Sequence, residues 1–180
     1  MPTMSVNALR YNLNPARSYL WEMAVPGADD KTIWSLRVRS TTRPSRSIST
    51  ILVPFKGTGG VAYPGKEVYT HSLPVTINEG EDRKSHAELY NWSQSVQGSE
   101  TGIGLGDLLI KRDISLHMIN KVGTIAESYK IYGCWLASIN ELPLSVDSDT
   151  PIIVGATLAF DYWTKSGNAL LSALSAVGAI

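Results

Sequence analysis

Apolar and polar residues alternate in three segments of the sequence. TIWSLRVRS (32–40), HSLPVTIN (71–78) and DLLIKRDISLHMIN (107–120) each follow a period of two, which predicts β-strands with one buried face. In the first, Trp34, Leu36 and Val38 alternate with Ile33, Ser35, Arg37 and Arg39. The apolar faces of the other two are expected to consist of Leu73, Val75, Ile77 and of Ile110, Ile114, Leu116, Met118.

Four further segments complete the predicted strands. SYLWEMAVP (18–26) is a first strand, ILVPF (51–55) a short one, IAESYKIYGCWL (125–136) the second arm of a hairpin and IIVGATLAFDYW (152–163) the last. KGTGGVAYPGKEVYT (56–70) is rich in glycine, which predicts a long hairpin or a flexible loop.

One segment, residues 79–97, has helical spacing. Asn78 is the predicted N-cap, and Glu79, Glu81 and Asp82 lie where the helix dipole favours acids. The helix is expected to end at Gly98. Its predicted apolar stripe consists of Ala87, Leu89 or Tyr90, Ser93 and Val96.

These elements predict an α+β fold, mainly β: an antiparallel β-sandwich or barrel with one flanking helix. The 180 residues contain no internal repeat or domain boundary, so residues 1–180 are expected to form a single domain. Residues 1–18 are polar and are interpreted as an irregular N-terminal arm. Residues 165–180 form an apolar tail, expected to dock on its own barrel or on a neighbouring molecule.

Charge and cysteine content narrow the classes of function. Sixteen basic and sixteen acidic residues give zero net charge, which predicts no bulk affinity for nucleic acid or membranes. The single cysteine, Cys134, excludes an internal disulfide and is expected to be a buried, inert thiol. The sequence lacks a signal-peptide core and a run long enough to span a membrane, which favours folding in a cytoplasm.

Few residues form a pattern typical of a catalytic, metal-binding or ligand-binding site. His71, His86 and His117 have no metal-ligand spacing, and TGIGLGD (101–107) lacks the lysine of a phosphate-binding loop. DSDT (147–150) is interpreted as a solvated turn rather than a calcium site. RVRSTTRPSR (37–46) allows a nucleic-acid stripe, but subunit ion pairs or a solvated edge are the favoured interpretation. We therefore expect no enzyme, metal or cofactor.

Two sets of ordered positions match the pattern of one known family. Near the C-terminus they are Gly133, Trp135, Asn140, Glu141, Leu142, Asp147, Ser148, Asp161, Tyr162 and Trp163. In the middle they are Val53, Pro54, Pro64, Gly65, Val75, Thr76, Glu81, Asp82, Arg83 and Trp92. With these positions the sequence resembles the tail tube proteins of contractile-tailed bacteriophages over residues 30–164. Leu136 replaces the family's proline, and the tail extends beyond the family's usual end.

The resemblance implies a structural virion protein of the phage tail. Its partners would be copies of itself in stacked hexameric rings, the tail sheath protein, baseplate or terminator proteins, and DNA passing non-specifically through the lumen. Assembly would occur in the cytoplasm of a bacterial host. The segment between Arg43 and Tyr69 would reach the neighbouring ring, with candidate contacts at Arg43, Arg46, Lys56, Tyr63, Lys66 and Tyr69. Lumen residues are not assigned.

The resemblance also implies a role for TLAFDYW (157–163). Tyr162 and Trp163 would anchor the last strand by burial, and Asp161 would face a polar surface or accept a hydrogen bond. Two alternatives within the fold are a baseplate tube initiator and a secretion-system tube ring. A third, from another class, is a carbohydrate-binding β-sandwich, since five tryptophans and eight tyrosines allow a stacking platform.

Overall fold

Antiparallel strands dominate the computed structural model, which describes residues 16–140, 145 and 149–166. The predicted N-terminal arm and apolar tail lie almost entirely outside the described residues, as do Glu141, Leu142, Asp147 and Ser148. The elements in chain order are β1 (Trp21–Ala24), the π-helical turn α1 (Ile33–Arg37), β2 (Val38–Thr41), β3 (Arg46–Phe55), β4 (Thr58–Tyr69), β5 (Ser72–Asn78), α2 (Lys84–Val96), the single turn α3 (Asp107–Ile110), β6 (Arg112–Ile119), β7 (Ile125–Ile139), β8 (Ile153–Ala159) and β9 (Tyr162–Ser166).

Strand β7 belongs to two sheets. Its first part pairs with β6 on one side and β9 on the other, and its last part pairs with β8. The front sheet therefore has the order β1–β6–β7–β9, and the back sheet has the order β7–β8–β5–β2. Every pairing is antiparallel. The predicted class, mainly β with antiparallel strands and one flanking helix, is confirmed.

A bulge at Gly133 lets β7 pass from one sheet to the other. Arg112 pairs with Cys134 and Ile114 with Ile131, so β7 has one more residue than β6 at this point. Gly133 has φ +65°, and a Cβ atom there would collide with the Asp161 carboxylate. A glycine is required here by both its backbone conformation and its close neighbour.

The core is one cluster of apolar side chains from both sheets and the helices. Leu73, Val75, Ile77, Ile114 and Leu116 are buried as the alternation predicts. At its centre Trp34 and Trp92 meet edge to face, with ring centroids 5.9 Å apart. Cys134 is buried as predicted, and burial raises the pKa of its thiol to about 12.

The prediction of a strand over residues 32–40 is wrong for its first half. Residues 33–37 form α1, which buries the adjacent Ile33 and Trp34 together and leaves Leu36 exposed. A strand cannot bury two consecutive side chains on one face, whereas a helical turn can. Asp30 favours the turn because its carboxylate accepts a hydrogen bond from the Thr32 amide at 2.9 Å.

Helix α2 begins five residues later than predicted and buries a different set of side chains. Asn78 ends β5 and is not the cap; Arg83, with φ +53°, precedes α2. The Glu79 carboxylate accepts hydrogen bonds from the Ser85 and His86 amides at 3.1 and 2.8 Å, so the expected acid at the helix start is present. The predicted stripe is correct at Leu89, which is buried, and at Val96, which packs against the core, but it is wrong at Ala87, which is exposed. The other fully buried residues of the helix are Ser85, Glu88 and Trp92.

Three further boundaries differ from expectation, and the first is that β3 begins at Arg46 and not at Ile51. The segment predicted as one strand over 107–120 begins with the helical turn α3, and the final strand breaks at Phe160–Asp161 into β8 and β9. The Asp161 carboxylate forms a salt bridge with Lys111, with Oδ2 and Nζ 2.9 Å apart, in agreement with its predicted polar role. Trp163 packs on the core as predicted, but Tyr162 is exposed and stacks on Tyr132 with centroids 4.6 Å apart.

The bulge yields a stability prediction. Gly133→Ala should lower the free energy of unfolding by about 1–3 kcal/mol, because alanine is strained at positive φ and meets Asp161. Urea unfolding of the unassembled protein measures the change. Gly59→Ala is the control, since its Cβ has open space, and should stay within about 0.5 kcal/mol of the parent. Equal stability of Gly133→Ala and the parent would contradict the role of the bulge.

Candidate assembly surface

Strands β3 and β4 form a two-stranded ribbon, residues 46–69, which we call the arm. They pair only with each other among the described residues, from Arg46 opposite Tyr69 to Phe55 opposite Thr58. Gly57, with φ +77°, makes the tight turn at the tip. Ten extended residues span about 30 Å, so the arm extends well away from the two sheets. Residues 56–70, predicted as a long hairpin or a flexible loop, instead form the tip turn and the second strand of a hairpin whose first strand is β3.

Both faces of the arm carry exposed apolar side chains. Every residue of β3 is exposed, including Leu52 at 64% and Phe55 at 69% of full accessibility. An isolated two-stranded ribbon is marginally stable in water, and contiguous apolar surface of this kind marks an interaction site. The large apolar side chains exposed on the arm are Ile48, Ile51, Leu52, Val53, Phe55, Val61, Tyr63 and Val68.

The six predicted contact residues are distributed along the arm and its base. Lys56 is in the turn at the tip, and Tyr63 and Lys66 lie along β4. Arg46 and Tyr69 form the last pair of the arm, beside the body of the protein, and Arg43 precedes the arm. The structure therefore does not bring the six residues together into one cluster.

The two arginines of this set form ion pairs within the chain. Arg46 is 2.7 Å from Glu67 and Arg43 is 3.6 Å from Glu127. Glu67 also hydrogen-bonds Tyr69 and thereby raises the pKa of its phenol. Arg37 belongs to the same basic stretch and donates hydrogen bonds to both carboxylate oxygens of Asp82, at 2.8 and 2.7 Å. These bonds lower the pKa of the Asp82 carboxyl to about 2.

A group of three charged residues holds the chain that leads into the arm. Glu127 on β7 lies between Arg43 and Lys165 of β9, and it accepts a hydrogen bond from the Tyr129 hydroxyl at 2.8 Å. The hydrogen bond from Lys165, then that from Tyr129, lowers the pKa of Glu127 below its ordinary 4.5. We call Arg43, Glu127 and Lys165 the root cluster.

A second contact fixes the base of the arm to the last strand. The Trp163 indole donates a hydrogen bond to the Ser45 carbonyl at 3.2 Å, one residue before β3 begins. The Trp163 and Tyr129 rings also meet edge to face, with centroids 5.6 Å apart. Sequence reasoning missed Glu127 and the Trp163–Ser45 contact because no local pattern reports a contact across 118 residues.

The other leg of the arm is held where β4 passes into β5. His71 adopts φ +50° and its Nδ1 lies 2.8 Å from the Phe160 carbonyl. The His71 and Tyr69 rings meet edge to face, with centroids 6.0 Å apart. Both legs of the arm therefore have anchors on the body, which gives the ribbon a defined direction.

Open strand edges are the second feature suited to assembly. Within the described residues, β1 and β2 end the strand order and β9 pairs only with β7. Each outer edge presents backbone donors and acceptors that another strand can satisfy.

No chemistry-bearing cluster competes with this surface in the described ranges. They contain no group of three or more His, Cys, Asp or Glu side chains placed to hold a metal, and none of their helices is long and apolar enough to cross a membrane. The tryptophans do not form an exposed platform, since Trp34 and Trp92 are fully buried and the other three are half-buried.

The sequence matches the family model described as T4-like virus tail tube protein gp19 over residues 60–164. The match begins within β4 of the arm and continues through every later element to Thr164 in β9. The chain matches no curated protein sequence.

Solved structures of tube components have the same fold. The cap of the anti-feeding prophage tube superposes with a TM-score of 0.67 at 15% identity, covering 87% of this chain and 93% of that one. A chain of the sheath–tube complex of PVC, an extracellular contractile injection system, gives 0.66 at 15% identity, with 92% and 100% covered. A chain of the PVC sheath/tube terminator gives 0.67 at 17% identity, with 87% and 99% covered.

The root cluster yields a prediction with a pH dependence. Glu127→Gln should reduce stability by about 1 kcal/mol at pH 7, because it removes the charge shared by Lys165 and Arg43. The folded-state pKa of Glu127 is lowered, so its contribution is present above pH 4.5 and is lost as pH falls through that lower pKa. The gap between parent and variant should therefore narrow as the pH is lowered below 4.5, as measured by urea unfolding at pH 7 and at a series of acidic pH values.

Glu67→Gln is the matched control, since Glu67 pairs with Arg46 on the arm itself and is more exposed. It should change stability by less than about 0.5 kcal/mol at either pH. A Glu127→Gln variant with the parent's stability at pH 7 would exclude a stabilising root cluster.

Proposed function

Because the chain belongs to the T4-like virus tail tube protein family, we propose that it is the repeating subunit of an inner tail tube. Hexameric rings of identical chains stack along one axis, and DNA passes through the lumen without sequence-specific contacts. The subunit has a structural role and no catalytic one. Residues 1–180 act as a single tail-tube domain.

The observation that carries this proposal is the arm. Its two strands expose apolar side chains on both faces, and within the described part of the chain no third element covers them. At about 25 cal/mol per Å², covering even part of this surface supplies several kcal/mol per subunit. The arm reaches a neighbouring ring, where its Ile, Leu, Val and Phe side chains leave water.

The candidate contacts divide by their place on the arm. Lys56 at the tip and Tyr63 and Lys66 along β4 contact the neighbouring subunit directly. Arg43, Arg46 and Tyr69 act mainly by holding the arm in position, since both arginines have carboxylate partners in their own chain.

Ring closure uses the open strand edges. When the outer edges of the two sheets pair with strands of adjacent subunits, a continuous barrel replaces a set of unpaired edges. Closure satisfies the backbone groups that one subunit leaves to water. Zero net charge permits close approach of identical chains.

The other partners follow from the assembly. The family and the sheath–tube and terminator structures with the same fold support contacts with a sheath protein and with baseplate or terminator proteins at the tube ends. The protein is a component of the virion, assembled in the cytoplasm of a bacterial host. A terminal ring or a secretion tube of the same fold is distinguished from a tube subunit by the length of the assembly.

Electron microscopy of the purified chain tests the proposal. The parent should form long tubes of stacked rings above a critical concentration. The double variant Leu52→Ser/Phe55→Ser removes two large exposed apolar side chains from the arm. It should raise the critical concentration about a hundredfold, equivalent to about 3 kcal/mol of lost burial.

Val122→Ser is the control, because Val122 is an exposed apolar residue in the β6–β7 turn, away from the arm. It should assemble like the parent. Circular dichroism verifies that all three chains are folded. Unchanged tubes in the double variant would refute the role of the arm, and discrete rings from the parent would indicate a terminal ring.

A further inference from the structure

A groove of about 670 Å³ lies at one end of the front sheet. Its floor continues the core-facing side of that sheet, since Trp21, Met118 and Glu127 lie opposite one another on β1, β6 and β7. Arg43 of the root cluster contributes to one wall. The apolar part of the lining consists of Ala16, Leu20, Trp21, Met118, Ile119 and Ala126.

Strand β9 leads directly to this groove. It runs antiparallel to β7, and its last described pair is Ser166 opposite Ser128. The next residues of β7 in the direction of β9 are Glu127 and Ala126, both of which line the groove. On that side of β7, no described strand pairs with residues 125–127. The edge of β7 is therefore open where the chain of β9 arrives.

We propose that residues 167–180 continue β9 along β7 and cover this groove in their own subunit. Keeping the observed register, Gly167 lies opposite Glu127, Asn168 opposite Ala126 and Ala169 opposite Ile125. Side chains alternate along a strand, so Ala169 and Leu171 then lie on the same face of the sheet as Glu127, Met118 and Trp21 and extend the apolar floor. The later residues up to Ile180 supply further apolar side chains to cover the floor.

The composition of this segment fits the groove. Residues 167–180 contain no ionisable side chain and nine Ala, Leu, Val or Ile residues. An uncharged occupant leaves the pairs of Glu127 with Arg43 and Lys165 intact. The other segment that starts beside the groove, residues 1–15, carries Arg10. It would add a cation next to Arg17, Arg43 and Lys121, which makes it the less suitable occupant.

Engineered disulfides in the full chain test the register. Two double variants are made, Ile125→Cys/Ala169→Cys and Ala126→Cys/Asn168→Cys. Neighbouring cross-strand pairs alternate between hydrogen-bonded and non-hydrogen-bonded geometry, so the two variants sample both spacings. We expect at least one to form an intrachain disulfide under mild oxidation, detected by peptide mapping. The buried Cys134 thiol does not compete.

The off-register control is Val122→Cys/Asn168→Cys, which should remain reduced under the same conditions. Failure of both in-register pairs to cross-link would overturn the proposal. Disulfides formed only between chains would also overturn it, because they place the segment on a neighbouring subunit. The assay uses dilute, unassembled protein, so its outcome does not depend on tube formation.

Hydrogen exchange identifies the occupant independently. Removing residues 167–180 should accelerate exchange of those amides of residues 125–127 that point away from β6 by about tenfold, the effect of losing one hydrogen bond. Removing residues 1–15 should leave these amides unchanged. The reverse pattern would assign the groove to the N-terminal segment and overturn the proposal.

Discussion

A ribbon of two strands cannot by itself bury both of its faces, and the proposed assembly rests on this constraint. Ile51, Leu52 and Phe55 stand on opposite sides of the arm, and no other element of the described residues covers them. We propose that other copies of the chain bury these side chains, since burial of apolar surface is favourable. Assembly then follows from the open packing of the arm, and the order of the tube follows from the direction in which the arm is held.

That direction is set by the body of the protein. The Gly133 bulge allows β7 to serve both sheets, and it brings Tyr132 and Asp161 together where β9 begins. Strand β9 then places Trp163 and Lys165 at the base of the arm, where they contact Ser45 and Glu127. The same strand therefore completes the front sheet and orients the arm.

Sequence patterns identified the elements whose structure is local. Strands β5, β6 and β7 alternate because one face is buried and the other is not. The pattern failed at Ile33 and Trp34, since their burial depends on Trp92, which lies far along the chain. The glycine content of residues 56–70 is also typical of a flexible loop, because amino-acid composition does not show whether a segment pairs as a strand. The root cluster and the Trp163–Ser45 bond exist only in the folded molecule, so no sequence period could report them.

The central claim is that the arm is completed by other copies of the chain. Hydrogen exchange of residues 46–69 in dilute, unassembled protein and in purified tubes tests it most directly. We expect the amides on the outer edges of β3 and β4 to exchange rapidly in the single chain and to be strongly protected in the tube. Equal protection in the two states would contradict the account.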